Sequence, residues 1–209
     1  MHDVSVAGRP VKFTGPVYTI SEIENLLITL PAPARAVVAV AALTGLRLSE
    51  LRGLRWGDYD GETLTISRSV WRTHVQAPKT EASADSVPVL PLLQRVLEVH
   101  RTKVKDASPD SYIFAGERRG APLNLANLAR RVIVPSLEKS DVSMKWKGWH
   151  AFRRGLASNL YSLGVQPKVI QAILRHSDIG TTPSYYVQTP DEETRDAISK
   201  IEEMFPFGL

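Results

Sequence analysis

Three stretches of the chain hold side chains suited to gripping or attacking an anionic group. In WHAFRRGLASNLYSLG (149–164), Trp149, Phe152, Leu156, Leu160 and Leu163 fall on one helical face, three and four residues apart. Arg153 lies about 40° from the middle of that stripe, at ~100° per residue. A guanidinium at the border of a core is costly unless something anionic meets it, and His150 sits one turn earlier on the same flank. In ALTGLRLSELRGLRWGDYD (42–60), Arg47 stands at a break between two helical patterns, where Gly45 frees the turn. Glu50 follows three residues later, within reach of an arginine side chain. In GVQPKVIQAILRHSDIGTTPSYYVQ (164–188), a helix starts at Pro167 and buries Val169, Ile170, Ile173 and Leu174. It delivers His176 at its C-terminal end, where the helix dipole favours a cationic imidazole. Thr181 and Thr182 can cap a turn that presents Tyr185 and Tyr186.

Taken singly, each of these has an ordinary structural reading: an ion pair for Arg153, a cap or surface residue for His150 and His176, packing for the tyrosine pair, a surface helix start for Arg47. Composition narrows the field. The 209 residues carry a formal charge of +4, which suits a phosphate-rich partner because neutralised phosphates release counterions. With 0 cysteines, disulfides, thiol nucleophiles and cysteine-ligated zinc drop out. No run approaches the ~20 apolar residues of a membrane span. The opening MHDVSVAGRPVKFTGP has no apolar stretch of the kind a secretory signal needs, so a cytoplasmic protein with no membrane association is expected.

The elements that must position these residues follow from periodicity. Residues 1–18, with Gly8, Pro10, Gly15 and Pro16, read as an arm or linker. Ser21 and Glu24 have capping-box spacing before a helix through Leu26, Leu27 and Leu30, which Pro31 and Pro33 end. ARAVVAVAAL (34–43) is apolar nearly all round, a buried helix. Strand-like alternation over 63–90 predicts a small antiparallel three-stranded β-sheet with a mobile hairpin at Lys79. Helical patterns return at 91–105, 124–138, 149–163, 167–175 and 191–204. The expected fold is therefore mainly α with a small three-stranded sheet (α+β). The main domain spans 19–190, and 191–209 forms a C-terminal helix and apolar tail.

Order and spacing say more than any single residue. Arg47, Lys79, His150, Arg153, His176 and Tyr185, carried by TGLRLSEL, PKT…SVPVLP, HAFRRGLAS and HSDIGTTPSYY, resemble the tyrosine recombinase (phage integrase) family over about residues 19 to 189. The resemblance implies that family's catalytic-domain architecture, clamped on double-stranded DNA. It also implies cleavage and rejoining of a phosphodiester through a 3′-phosphotyrosine. Arg47 and Arg153 would hold the non-bridging oxygens, Lys79 would protonate the departing 5′ oxygen and His150 would assist proton transfer. His176 would bond the phosphate, Glu50 would give structural support and Tyr185, with Tyr186 in reserve, would attack. No metal or cofactor is implied.

Two residues depart from the family pattern: Arg175 stands where glycine is usual, and Pro183 stiffens the approach to the tyrosines. The resemblance further implies a missing N-terminal DNA-gripping domain, tetramers on DNA and exchange of the C-terminal segment between protomers. A bacterial cytoplasmic setting goes with it. Two rival readings are a type IB-like topoisomerase, and a non-catalytic helix-turn-helix module built from 149–163 and 167–175.

Overall fold

The structure is a computed structural model, describing residues 15–76, 85–118, 120–175 and 191–205. Lys79, His176, Tyr185 and Tyr186 lie outside the described residues, as do most of the arm and the last part of the tail.

Helix α1 (Ile20–Thr29) opens on a capping box two residues earlier than the sequence pattern predicts. Thr19, not Ser21, is the cap: its hydroxyl accepts from the Glu22 N–H at 3.2 Å, and Glu22 accepts from the Thr19 N–H at 2.9 Å. That start turns Ile23, Leu26 and Leu27 to the core. Pro31 then ends α1 and caps α2 (Ala32–Thr44), while Pro33, expected to help end α1, sits harmlessly in the first turn of α2. Every residue of α2 from Ala36 to Thr44 is buried. It is the axial helix, contacting α1, α3 (Leu48–Gly53), α4 (Pro91–Arg101), α7 (His150–Ser162) and α9 (Asp191–Glu202). The remaining helices are α5 (Leu125–Leu128), α6 (Val134–Glu138) and α8 (Pro167–Ile173). Between α5 and α6 the turn Ala129–Ile133 widens to π geometry just before Pro135, whose ring and missing N–H disturb an ordinary α ladder.

The described strands correct the three-stranded expectation. They form two separate antiparallel pairs: β1 (Thr63–Ile66) with β4 (Asp85–Pro88), and β2 (Ser69–Trp71) with β3 (His74–Gln76). Ser67 and Arg68 divide them. The Ser67 hydroxyl donates to Asp58 at 2.8 Å, and the Arg68 guanidinium bonds both Asp58 and the Gly53 carbonyl. These bonds turn the chain toward α3, so β2 pairs with β3 and not with β1. Gly53 permits the approach: a Cβ there would stand 2.7 Å from the Arg68 carbonyl oxygen. Leu64 and Val87 face the core across the first pair, whereas the second pair lies on α3 through the buried Val70 and projects beyond it, with β3 exposed throughout and Trp71 60% exposed.

Helix α9 packs on α2, α7 and α8 of its own chain through Ala197, Ile198 and Ile201, with Phe205 buried just after it. No helix among the described residues is long and apolar enough to cross a membrane.

Candidate active site

Arg153 projects from α7, and the seat of that helix is Tyr18. The Tyr18 ring stacks on Phe152 with centroids 4.4 Å apart, and its hydroxyl accepts from the Lys147 N–H at 2.6 Å. Asn159 Nδ2 donates to the Tyr18 carbonyl at 3.2 Å, and Gly155 lets the helix lie directly against that backbone. Burial pushes the Tyr18 phenol pKa up, so this tyrosine stays protonated. Lys147 locks the seat further by pairing with Glu22 at 2.5 Å and donating to the Val17 carbonyl at 2.8 Å.

From that face Arg153 enters the core, only 8% exposed. Its Nη1 donates to the Gly45 carbonyl at 2.6 Å and its Nη2 to the Leu174 carbonyl. Burial, then repulsion from Arg47 and Arg175, pushes its pKa down to about 10, which still leaves it charged at neutral pH.

Gly45 ends α2 in the left-handed region, with φ 62°. Arg47 then becomes the N-cap of α3, and Glu50 reaches back to accept from the Arg47 N–H at 2.8 Å. The same carboxylate accepts from Arg47 Nη1 at 2.8 Å. Arg47 Nη2 donates to the Arg175 carbonyl at 3.2 Å, and its side chain remains 41% exposed. Burial opposes the Glu50 charge, but Arg175 together with the Arg47 N–H and guanidinium outweighs it and holds the carboxyl below its ordinary range.

Two guanidiniums from helices far apart in sequence thus converge on the neighbouring carbonyls of residues 174 and 175, immediately ahead of His176. His150 is the first residue of α7, exposed one turn before Arg153. Arg47, Glu50 and Arg153 are brought together, and His150 stands on the same helix as Arg153.

A model of the phage integrase family matches residues 18–193. The chain belongs to the phage integrase family. Among relatives, it is 26% identical over 197 residues to a tyrosine recombinase XerC-like protein of Caldanaerobacter subterraneus, covering 82% of this chain and 49% of the relative. It is 31% identical over 172 residues to tyrosine recombinase XerC of Mesorhizobium japonicum, covering 79% of this chain and 51% of the relative. The chain therefore spans about half the length of these curated relatives.

The fold is that of solved integrases and recombinases. The integrase of transposon Tn1549, in complex with transposon right-end DNA, superposes with a TM-score of 0.67 at 22% identity, covering 96% of this chain and 70% of that one. The XerA recombinase does so with 0.60 at 22% identity, covering 90% and 66%.

Within this family member, two residues at the site escape the spacing argument. Arg175 pairs with Glu50 at 2.9 Å; its sequence signal is the departure from the family pattern, which usually has glycine there. Arg52, on α3, donates to the carbonyls of Val70 at 3.1 Å, Arg72 at 2.9 Å and Leu123 at 3.3 Å. It ties the projecting hairpin to the helix that Arg47 caps. Its acceptors are backbone oxygens distant in sequence, so no side-chain pattern announces them.

Proposed function

We propose that the chain is the catalytic part of a site-specific DNA recombinase, an integrase that cleaves and rejoins double-stranded DNA through a 3′-phosphotyrosine. The observation that carries this reading is the convergence of Arg47 and Arg153 at the end of α8, where the chain continues to His176 and Tyr185.

Attack on a phosphodiester builds negative charge on its non-bridging oxygens, and guanidiniums stabilise that charge by paired hydrogen bonds. In this reading Arg47 and Arg153 hold those oxygens. The Tyr185 oxygen forms a bond to phosphorus as the bond to the 5′ oxygen breaks. His150 assists removal of the phenol proton, His176 bonds the phosphate, and Lys79 donates a proton to the departing 5′ oxygen. The phosphotyrosine keeps the energy of the broken ester, so a second 5′ hydroxyl can reverse the attack. Glu50 keeps Arg47 in place, and no metal or cofactor enters the scheme.

In this reading, as the family resemblance implies, the whole protein has a DNA-gripping N-terminal domain and tetramers assemble on DNA. Residues 191–209 would then dock in cis in the monomer and in trans on DNA. Removing 204–209 tests the exchange: assembly on DNA should fail, and intact assembly with a less stable monomer would sink the trans part.

A helix-turn-helix reading of α7 and α8 fits poorly, because α8 spans Pro167–Ile173 and buries Ile170 and Ile173.

Covalent trapping tests the central claim. Wild type and Tyr185→Phe are incubated with a library of nicked duplexes and quenched in SDS. A wild-type adduct mapping to a phosphorylated Tyr185 peptide, absent from the variant, is expected. An adduct that persists in Tyr185→Phe would move the nucleophile elsewhere.

A further inference from the structure

His150 stands on a first helical turn that is tightly wound and held from outside. Gly148, at φ 82°, turns the chain into α7. The first bonds span only three residues, from the Ala151 N–H to the Gly148 carbonyl and from the Phe152 N–H to the Trp149 carbonyl, both at 3.2 Å. Trp149, at the cap position, gives that turn no side-chain hydrogen bond; its indole donates to the Leu125 carbonyl at 3.2 Å instead.

Tyr18 brackets His150. On the flank that precedes it, the Tyr18 hydroxyl accepts from the Lys147 N–H at 2.6 Å. On the flank that follows, the Tyr18 N–H donates to the Ala151 carbonyl at 3.4 Å, and the ring stacks on Phe152. The Tyr18 carbonyl takes Asn159 Nδ2 two turns further on. Lys147 is held in turn, its ammonium pairing with Glu22 and donating to the Val17 carbonyl. Arg153 is secured separately, by the carbonyls of Gly45 and Leu174. One fully buried phenol thus reaches both sides of an exposed histidine.

Geometry makes that bracket matter. A group that takes a proton must lie within hydrogen-bond reach of it, and a displacement of about 1 Å can cost on the order of a hundredfold in rate. A side chain on the first turn inherits any movement of the segment that leads into the helix, whereas Arg153, deeper in α7, does not.

We propose that Tyr18 is a positioning residue for His150, its hydroxyl fixing the chain at Lys147 so that the imidazole is held toward the attacking phenol. This rests on the reading of His150 as the group that assists removal of the Tyr185 proton.

The test uses the duplex recovered by covalent trapping with wild type, Tyr18→Phe, His150→Gln and the double variant. Near neutral pH, Tyr18→Phe should form adduct about tenfold more slowly than wild type, and His150→Gln about a hundredfold. The double variant should match His150→Gln, because a residue that acts through His150 then has nothing left to position. The deficit of Tyr18→Phe should also shrink as pH rises toward ~10, where a phenol ionises without a base. Multiplied defects in the double variant, a deficit that stays constant with pH, or a wild-type rate for Tyr18→Phe would overturn the proposal. Should Tyr18→Phe not fold, Glu22→Gln, which loosens Lys147 from the same side, carries the same comparison. No adduct with wild type, or one formed at full rate by His150→Gln, would instead defeat the proton-transfer reading and this proposal with it.

Discussion

Arg153 Nη1 donates to the Gly45 carbonyl at 2.6 Å, tying α7 to the turn that sets Arg47 at the head of α3. One side chain of the proposed clamp is thus also a bolt that fixes the other. Arg153→Ala would strand the Gly45 and Leu174 carbonyls and cost about 2–4 kcal/mol in urea unfolding. Arg47→Ala, at a side chain 41% exposed, should abolish adduct formation with a loss below about 1 kcal/mol. Equal stability losses in the two variants would contradict this division of labour.

Gly155 offers a second measurement. A Cβ there would stand 2.5 Å from the Tyr18 carbonyl oxygen, a backbone atom that cannot swing aside. Alanine favours a helix interior over glycine by about 1 kcal/mol, while overpacking costs about 1–3 kcal/mol. Gly155→Ala should therefore lower stability and loosen the Tyr18–Phe152 stack, seen as a lower thermal midpoint and a changed near-ultraviolet spectrum. A midpoint at or above wild type would show that the segment carrying Tyr18 shifts freely.

Acid should act through Glu50. Its folded pKa lies below the ordinary 4.5, so its contribution is complete above that pH and is lost as pH falls through the lower folded value. Stability measured from pH 6 down to 3 should drop more steeply in wild type than in Glu50→Gln. Parallel profiles would mean that the Arg47 and Arg175 contacts contribute nothing to folding.

His100 should produce a step at higher pH. It is buried, stacked beside Trp56 with Nε2 2.8 Å from the Ile113 carbonyl oxygen, and burial lowers its pKa from 6.5. The neutral ring fits the core, so its contribution is present above pH 6.5 and declines as pH falls toward the folded pKa. His100→Gln should flatten the stability profile just below pH 6.5, and an unchanged slope there would assign it to another group.

Arg52→Ala should free the projecting hairpin. Losing its three carbonyl contacts should cost about 1–2 kcal/mol and raise amide exchange over 69–76 while α7 stays protected. Uniform protection in the variant would show that β2 and β3 need no such tie.

The helices were legible because their burial is local and periodic. Phe152, Leu156 and Leu160 on α7, and the apolar run of α2, needed only spacing to be read. The sheet was misjudged at Ser67 and Arg68, whose bonds to Asp58 and Gly53 across the fold break a strand that alternation alone would continue. The first cap was displaced to Thr19 and Glu22 because two overlapping capping patterns compete, and the burial of Ile23 settles which one forms. At the site, the spacing of Arg47 and Glu50 implied an i,i+3 contact. The crowding of Arg175 onto that pair depends on where α8 ends in space, 125 residues later.

The depth of α2 bears on how this site can fail. The Gly45 turn hangs from a helix whose last nine residues, Ala36 to Thr44, are all buried, so local fraying cannot loosen it. Amide exchange at Thr44 and Leu46 should then track global unfolding. A damaged clamp would arise only in molecules that are already denatured, and partial heat or denaturant should remove active molecules from the population without producing a dulled, half-competent form.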